Sequence, residues 1–219
     1  YAGYTASGTF DGWVWNRIRG ASEQEEKYYR WLYVNAGTKN ADTVNLGDLE
    51  KVNSNYHWLY YAGAGNDTVT AQAGDIVYGG NGNDTLYAQG RMSDIHGNGG
   101  DDKIVVRGAD NKNLDHVVVR GEAGNDTIEA YGSYHYLNGG DGDDIIHIWS
   151  DANSDEVSHN NAVAGSSGND TIYIHAGYAH RANGNKGNDT IYAYRGSNHA
   201  LNGGDGDDEI HIIDNGEQI

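Results

Sequence analysis

Nine glycine-rich stretches of the sequence each close on an aspartate, and these are Asp42, Asp67, Asp84, Asp102, Asp126, Asp144, Asp170, Asp189 and Asp208. The stretch LNGGDGDDIIHI at 137–148 returns as LNGGDGDDEIHI at 201–212. Successive aspartates stand 17 to 26 residues apart, with a base period near 18. Carboxylates in so dense and regular a series repel one another, so the chemistry that they favour is the binding of cations.

The composition of the chain points the same way. A formal net charge of −18 over 219 residues argues against nucleic acid or an anionic membrane as a partner. The sequence has 33 glycines, a single Phe and a single Met, which makes a conventional core of Leu and Phe unlikely to form. There is no cysteine to form disulfides and no run of 18 apolar residues, so no transmembrane segment is predicted.

Apolar residues alternate after each aspartate, at the second and fourth positions that follow it. The pairs are Val69/Ala71, Leu86/Ala88, Ile104/Val106, Ile128/Ala130, Ile146/Ile148, Ile172/Ile174, Ile191/Ala193 and Ile210/Ile212. A second apolar column lies seven residues before each aspartate and comprises Tyr60, Val77, Ile95, Val119, Leu137, Val163, Ala182 and Leu201. Because period-two alternation is typical of half-buried strands, each repeat predicts two inward-facing strands and the series predicts a solenoid.

Each stretch resembles the nonapeptide GGxGxDxUx of RTX (repeat-in-toxin) proteins, where U is a large apolar residue. The resemblance runs from about residue 37 to 214. It implies an all-β fold, a right-handed parallel β-roll or β-helix solenoid of about nine to ten coils, whose turns bind Ca²⁺. We expect residues 37–219 to form the roll and residues 1–36 to form an N-terminal capping segment or a degenerate first coil.

The resemblance also implies the calcium ligands. They are Asp67, Asp84, Asp102, Asp126, Asp144, Asp170, Asp189 and Asp208, with Asp42 as a further candidate, and backbone carbonyls near Gly65, Gly82, Gly100, Gly124, Gly142, Gly168, Gly187 and Gly206. Carboxylates stacked about 4.8 Å apart need divalent cations between them, and Ca²⁺ accepts six to eight oxygen ligands. We expect about seven to eight ions; eight would bring 16 positive charges against −18 and leave −2.

The second nonapeptide of each coil has lost its aspartate. Nine residues before the next aspartate only Asp75 remains, and the equivalent positions hold Ser93, Val117, His135, Asn161, His180 and His199. Longer connections around 46–57, 108–115 and 150–161 fall on this same edge. The sequence therefore predicts calcium on one edge only. The histidines could bind a transition metal, but solvent-facing polar residues are the favoured interpretation, since no cysteine or carboxylate joins them at zinc-like spacing.

The outward positions of the second strand become aromatic toward the C-terminus. This candidate ligand face comprises Tyr131, His147, Trp149, Tyr173, His175, Tyr192, Tyr194 and His211. A flat strip of rings can stack on sugars or seat another protein chain. The alternative, which we favour, is that the rings stack on one another along the sheet and stiffen it.

Three classes of function remain open at this level. The first, and preferred, is a calcium-binding, calcium-folded structural or binding module of a secreted or cell-surface protein, extracellular and without enzymatic activity. Such a module could adhere through its aromatic face to a glycan or another chain, or self-associate end to end or laterally. The second is an ice-binding solenoid, although the outward polar rows are irregular. The third is a non-catalytic carbohydrate-binding module of a polysaccharide-acting enzyme.

Overall fold

A computed structural model describes residues 31–49, 56–109, 112–150 and 158–213. These residues form nineteen strands, β1 (Trp31–Ala36), β2 (Thr43–Asn45), β3 (Tyr56–Ala64), β4 (Thr68–Ala71), β5 (Ile76–Asn81), β6 (Thr85–Ala88), β7 (Asp94–Gly99), β8 (Lys103–Val106), β9 (Leu114–Asp115), β10 (Val118–Ala123), β11 (Thr127–Ser133), β12 (Tyr136–Asp141), β13 (Ile145–Trp149), β14 (Ala162–Ser167), β15 (Thr171–Ile174), β16 (Arg181–Lys186), β17 (Thr190–Ala193), β18 (Ala200–Asp205) and β19 (Glu209–Ile212). Most of the expected capping segment lies outside the described residues. In the part that is described, no helix has the length and apolar character needed to cross a membrane.

The strands form two parallel sheets that the chain visits alternately. The first sheet has the order β1-β3-β5-β7-β10-β12-β14-β16-β18, and the second runs from β2 through β4, β6, β8, β11, β13, β15 and β17 to β19. Pairing keeps equivalent repeat positions side by side: Ile128 lies opposite both Ile104 and Ile146. The predicted all-β parallel roll is confirmed, with each coil contributing one strand to each sheet.

The core lies between the two sheets and follows the predicted alternation. In β6, Leu86 and Ala88 are buried while Thr85 and Tyr87 are half-buried. The apolar columns that were predicted to face inward are buried along the roll from Val69 to Ala193. The final strand differs, because no described strand packs beyond it, and Ile212 is 77% exposed.

The turns form two edges of different character. One edge carries the short turns from a first-sheet strand to the next second-sheet strand, and we call it the acidic edge because each turn ends in an aspartate. The other edge returns the chain to the first sheet, and residues 50–55, 110–111 and 151–157 of the predicted longer connections lie outside the described residues. There β9 pairs with Gly132–Ser133 of β11, and single parallel bridges join His159, Tyr178 and Ser197.

Candidate metal centre

The structure brings the repeat aspartates together in one column along the acidic edge. Seven of them are at most 2% exposed, namely Asp67, Asp84, Asp102, Asp126, Asp144, Asp170 and Asp189. Asp42 and Asp208, near the two ends of the described roll, are half-buried. Each aspartate immediately precedes a second-sheet strand, so the parallel pairing of those strands stacks the carboxylates coil upon coil.

One carboxylate oxygen of each aspartate is used by the backbone. The N–H of Asp126 donates to Oδ1 of Asp144 at 2.7 Å, and the N–H of Asp144 donates to Oδ1 of Asp170 at 2.9 Å. The same bond links every neighbouring pair from Asp42 to Asp208. This ladder gives the carboxylates the same orientation, so the second oxygen of each lies at the equivalent position of its own coil.

The second oxygens are buried without hydrogen-bond partners among the described residues. They are the Oδ2 atoms of Asp67, Asp84, Asp102, Asp126, Asp144, Asp170 and Asp189. Asp42 differs, since its Oδ2 accepts the N–H of Thr38 at 2.6 Å. Buried polar atoms are almost always paired, and leaving a buried carboxylate oxygen unpaired is costly. The column therefore requires a positive charge or a proton beside each Oδ2.

A glycine lines six of these oxygens, five residues before the aspartate, and beside Asp67 the equivalent residue is Ala62. A Cβ on Gly139 would collide with Oδ2 of Asp144 and the carbonyl oxygen of Gly165 in the next coil. The same pair of oxygens surrounds the equivalent position beside Gly79, Gly97, Gly121 and Gly184. A carboxylate oxygen and a carbonyl oxygen thus converge where only glycine leaves room. The sequence analysis missed these glycines, although their regular place at the start of each repeat was a signal.

The glycines predicted to supply carbonyls stack in a second column. Gly142 has φ of +130°, a conformation that L-residues with side chains rarely adopt, and a Cβ there would strike the carbonyl oxygen of Gly124. The contact repeats from Gly65 to Gly206. Carbonyl oxygens therefore follow one another along the acidic edge, beside the aspartates.

The electrostatics of the column reflect its burial. Burial is the largest cause that raises the pKa of the Asp144 carboxyl to about 8, and the charges of Asp126 and Asp170 raise it further. Burial likewise raises the pKa of Asp102 to about 7 and that of Asp126 to about 6. In the absence of a cation, these carboxyls retain protons at a pH where an exposed aspartate has lost its own.

This donor set fits calcium. Hard carboxylate and carbonyl oxygens are the ligands that Ca²⁺ takes in flexible geometry. No group of three or more His, Asp or Glu side chains converges within the described ranges. The repeat explains this, because each turn contributes one inner carboxylate and the other oxygens belong to the backbone.

The opposite edge is built differently. We call the column of Asp75, Ser93, Val117, His135, Asn161, His180 and His199 the seam. Both oxygens of Asp75 are used, by the N–H groups of Trp58 and Gln72, each at 2.8 Å. The interpretation of the histidines as solvent-facing is wrong for His135 and His180, which are 2% and 0% exposed. These side chains turn inward at the same place as the Asp75 carboxylate.

The eight residues of the candidate ligand face form two rows of stacked rings on the second sheet. One row contains His147, Tyr173, Tyr192 and His211, with centroids 4.6 to 5.1 Å apart. The other contains Tyr131, Trp149, His175 and Tyr194, and the Arg107 guanidinium lies 4.1 Å from the Tyr131 centroid. The rings present their faces to one another, which supports the stiffening role.

Comparison with known families agrees with the geometry. A family model described as the RTX calcium-binding nonapeptide repeat matches in four copies, at residues 60–86, 120–154, 157–173 and 181–210. No curated protein and no solved structure matches the chain. The matched segments contain six of the seven aspartates whose Oδ2 atoms lack partners, all except Asp102, and calcium is the ion that this repeat binds. The chain belongs to the RTX calcium-binding nonapeptide repeat family.

Proposed function

We propose that the chain is a calcium-folded structural module of a secreted or cell-surface protein. Its calcium ligands are Asp67, Asp84, Asp102, Asp126, Asp144, Asp170, Asp189 and Asp208 together with the glycine carbonyls beside them. The observation that carries the proposal is the column of seven buried Oδ2 atoms without partners among the described residues. Asp42 is a weaker candidate because Thr38 already occupies its Oδ2.

Calcium, when bound, supplies the positive charge that the buried carboxylates lack. The residues of the chain supply the rest: the Oδ1 ladder fixes each carboxylate, and from Asp84 onward a glycine keeps the space beside Oδ2 open. The core is thin, with alanine at Ala71, Ala88, Ala130 and Ala193. Since the net charge is −18, repulsion opposes folding without the ion, and metal-binding free energy becomes folding free energy.

The extracellular setting is proposed from this coupling. Extracellular calcium modules work in the millimolar range, and a chain of this kind would remain unfolded in a calcium-poor cytoplasm. We expect a structural role without catalysis, as is typical of the repeat family.

A circular-dichroism titration tests the proposal. At neutral pH, EGTA should abolish the β-sheet spectrum and Ca²⁺ should restore it. Mg²⁺ should not, because it demands near-octahedral geometry and keeps its waters. A spectrum unchanged by chelation would contradict calcium-coupled folding.

Adhesion through the ring face is the finer part of the proposal. The rings are half-exposed, so their edges could contact a glycan or another chain, but their faces are occupied by neighbouring rings. Binding of the Trp149→Ala and Tyr173→Ala variants to a glycan array, compared with the unmodified chain, tests it.

Ice binding stays an alternative. The outer row of the acidic edge, from Asn66 to Asp207, uses its Oδ1 atoms to accept backbone N–H groups of neighbouring coils, which supports a structural role for that row. A measurement of thermal hysteresis on the calcium-loaded chain would decide between ice binding and a structural role.

A further inference from the structure

From His135 to His199, the seam makes the same backbone hydrogen bond as the acidic edge, but with neutral groups. Nδ1 of His135 accepts the N–H of Val117 at 3.1 Å, and Nδ1 of His180 accepts the N–H of Asn161 at 3.2 Å. Between them, Oδ1 of Asn161 accepts the N–H of His135 at 2.8 Å. Each side chain therefore does for its coil what the aspartate Oδ1 does on the acidic edge.

The other end of the His135 and Asn161 side chains meets a backbone carbonyl. Nε2 of His135 lies 3.2 Å from the carbonyl oxygen of Tyr131, four residues earlier, while Nε2 of His180 is buried and has no hydrogen-bond partner among the described residues. Nδ2 of Asn161 donates to the carbonyl of Gly132 at 2.9 Å. Because Nδ1 accepts a hydrogen bond, each neutral imidazole carries its proton on Nε2, and His135 donates that proton to the carbonyl.

These contacts supply what a bound cation would supply. On the acidic edge, a buried oxygen and nearby carbonyls are left for a positive charge. On the seam, N–H groups of His135 and Asn161 occupy that place, so the carbonyls beside them are satisfied without metal. The arrangement holds only while the imidazoles are neutral, because a protonated Nδ1 would face a backbone N–H group with a second donor.

We propose that the seam holds neighbouring coils together without calcium and in a pH-dependent way. Its contacts form at neutral pH and break in acid, when His135 and His180 gain a proton. The proposal goes beyond calcium binding and concerns the edge that the ions do not occupy.

The surroundings of both imidazoles favour the neutral form. Burial lowers the pKa of His135 to about 4, and of its charged neighbours Asp115 raises the pKa and His116 lowers it. Burial also lowers the pKa of His180 to about 4, and His199, His159 and His135 around it lower the pKa further. Since the folded pKa lies below the unfolded value of 6.5, the stability that these groups contribute is present above pH 6.5 and is lost as the pH falls toward 4.

Asparagine offers a matched replacement, because Asn161 already makes both contacts in the same column without titrating. The experiment compares acid unfolding, followed by circular dichroism in saturating calcium, for the native chain and the double variant H135N/H180N. The acid midpoint of the double variant should lie lower by about half a pH unit or more. H116N, which changes a solvent-exposed imidazole on the same edge, should shift the midpoint far less than the double variant, because His116 affects His135 only through its charge.

Equal midpoints for the native chain and the double variant would overturn the proposal. Loss of calcium by acid affects all three chains alike, so the difference isolates the two imidazoles. Should the double variant fail to fold, NMR titration of the native imidazoles decides: ring shifts that titrate near pH 6.5 would also overturn it. A failure of calcium-coupled folding would appear separately, in the EGTA experiment at neutral pH, where both imidazoles are neutral.

Discussion

Asp144 accepts the N–H of Asp126 through Oδ1 on one edge of the roll, and His135 accepts the N–H of Val117 through Nδ1 on the other. Both side chains are buried, and both link one coil to the next. The second carboxylate oxygen of Asp144 has no described partner, whereas the second ring nitrogen of His135 meets a carbonyl. One coil geometry therefore accepts either an anionic column that needs metal or a neutral column that does not.

The largest expected effect is on calcium affinity, from a single substitution on the acidic edge. Asp144→Asn should raise the calcium concentration at the folding midpoint at least about tenfold, because it removes a buried anionic oxygen at the centre of the column. Asp75→Asn is the matched control on the seam and should change that midpoint by less than about twofold. Calcium titrations followed by circular dichroism measure both. Equal shifts would mean that the two edges do not differ as described.

The two edges should also titrate in opposite directions in the calcium-free chain. The pKa values of about 6 to 8 on Asp84, Asp102, Asp126, Asp144 and Asp170 lie above the unfolded value of 3.8, so their contribution to stability is present below pH 4 and is lost as the pH rises through 6 to 8. The seam histidines contribute above pH 6.5 and lose their contribution toward pH 4.

In calcium-free buffer, residual β-structure should therefore be greatest near about pH 5 and decline on both sides. Calcium is removed beforehand by dialysis, because EGTA is protonated at pH 5 and binds it weakly there, and far-ultraviolet circular dichroism between pH 4 and 8 measures the structure. Saturating calcium should remove the decline on the alkaline side. More structure at pH 8 than at pH 5 without calcium would contradict the raised pKa values of the acidic column.

A smaller effect on stability is expected from the candidate ligand face, whose stacked rings lie on the second sheet and on neither edge. Tyr173→Ala breaks a row in which Tyr173 stacks on His147 at 4.6 Å and on Tyr192 at 5.1 Å, and should cost about 1 kcal/mol of unfolding free energy. Tyr136→Ala is the control, since this exposed tyrosine lies between Val118 and Ala162 in the other sheet. Urea unfolding in saturating calcium compares them. Equal costs would mean that ring stacking adds nothing to the sheet.

The smallest effect separates the two rows of the acidic edge. Asn125 is exposed, and its Oδ1 accepts the N–H of Asp143 at 2.8 Å. Asn125→Ala should cost about 0.5–1 kcal/mol of stability, the worth of one hydrogen bond, and leave calcium affinity unchanged. A loss of affinity like that of Asp144→Asn would place the outer row among the ligands.

The repeat made much of the fold predictable. Aspartate and glycine at fixed offsets, followed by alternation such as Ile146 and Ile148, defined the strands, the inward columns and the edge that carries the acid. Strand pairing then follows, since equivalent positions of successive repeats stack and the surplus residues of the longer coils fall between the strands. The three longer connections could be placed on the edge that carries the seam for the same reason.

The burial of the seam histidines was not predicted, because histidine is polar and a sequence alone does not show which polar side chains are buried. His135 follows Tyr134 at φ of +57°, and this left-handed residue turns the next side chain inward. The signal was available in Asp75, since its place in the repeat is equivalent to that of the aspartates that face the turn interior. The need for glycine beside Oδ2 arises from the close approach of neighbouring coils, which only the coordinates reveal.

The central claim is that cations occupy the acidic edge and that neutral side chains replace them on the seam. The most direct test is a crystal structure of the calcium-loaded chain with anomalous diffraction to locate the ions. The account predicts a single row of calcium peaks beside the Oδ2 atoms of the column from Asp67 to Asp189, and no peak along the seam from Ser93 to His199. Calcium beside His135 or His180, or an acidic edge without calcium, would contradict it.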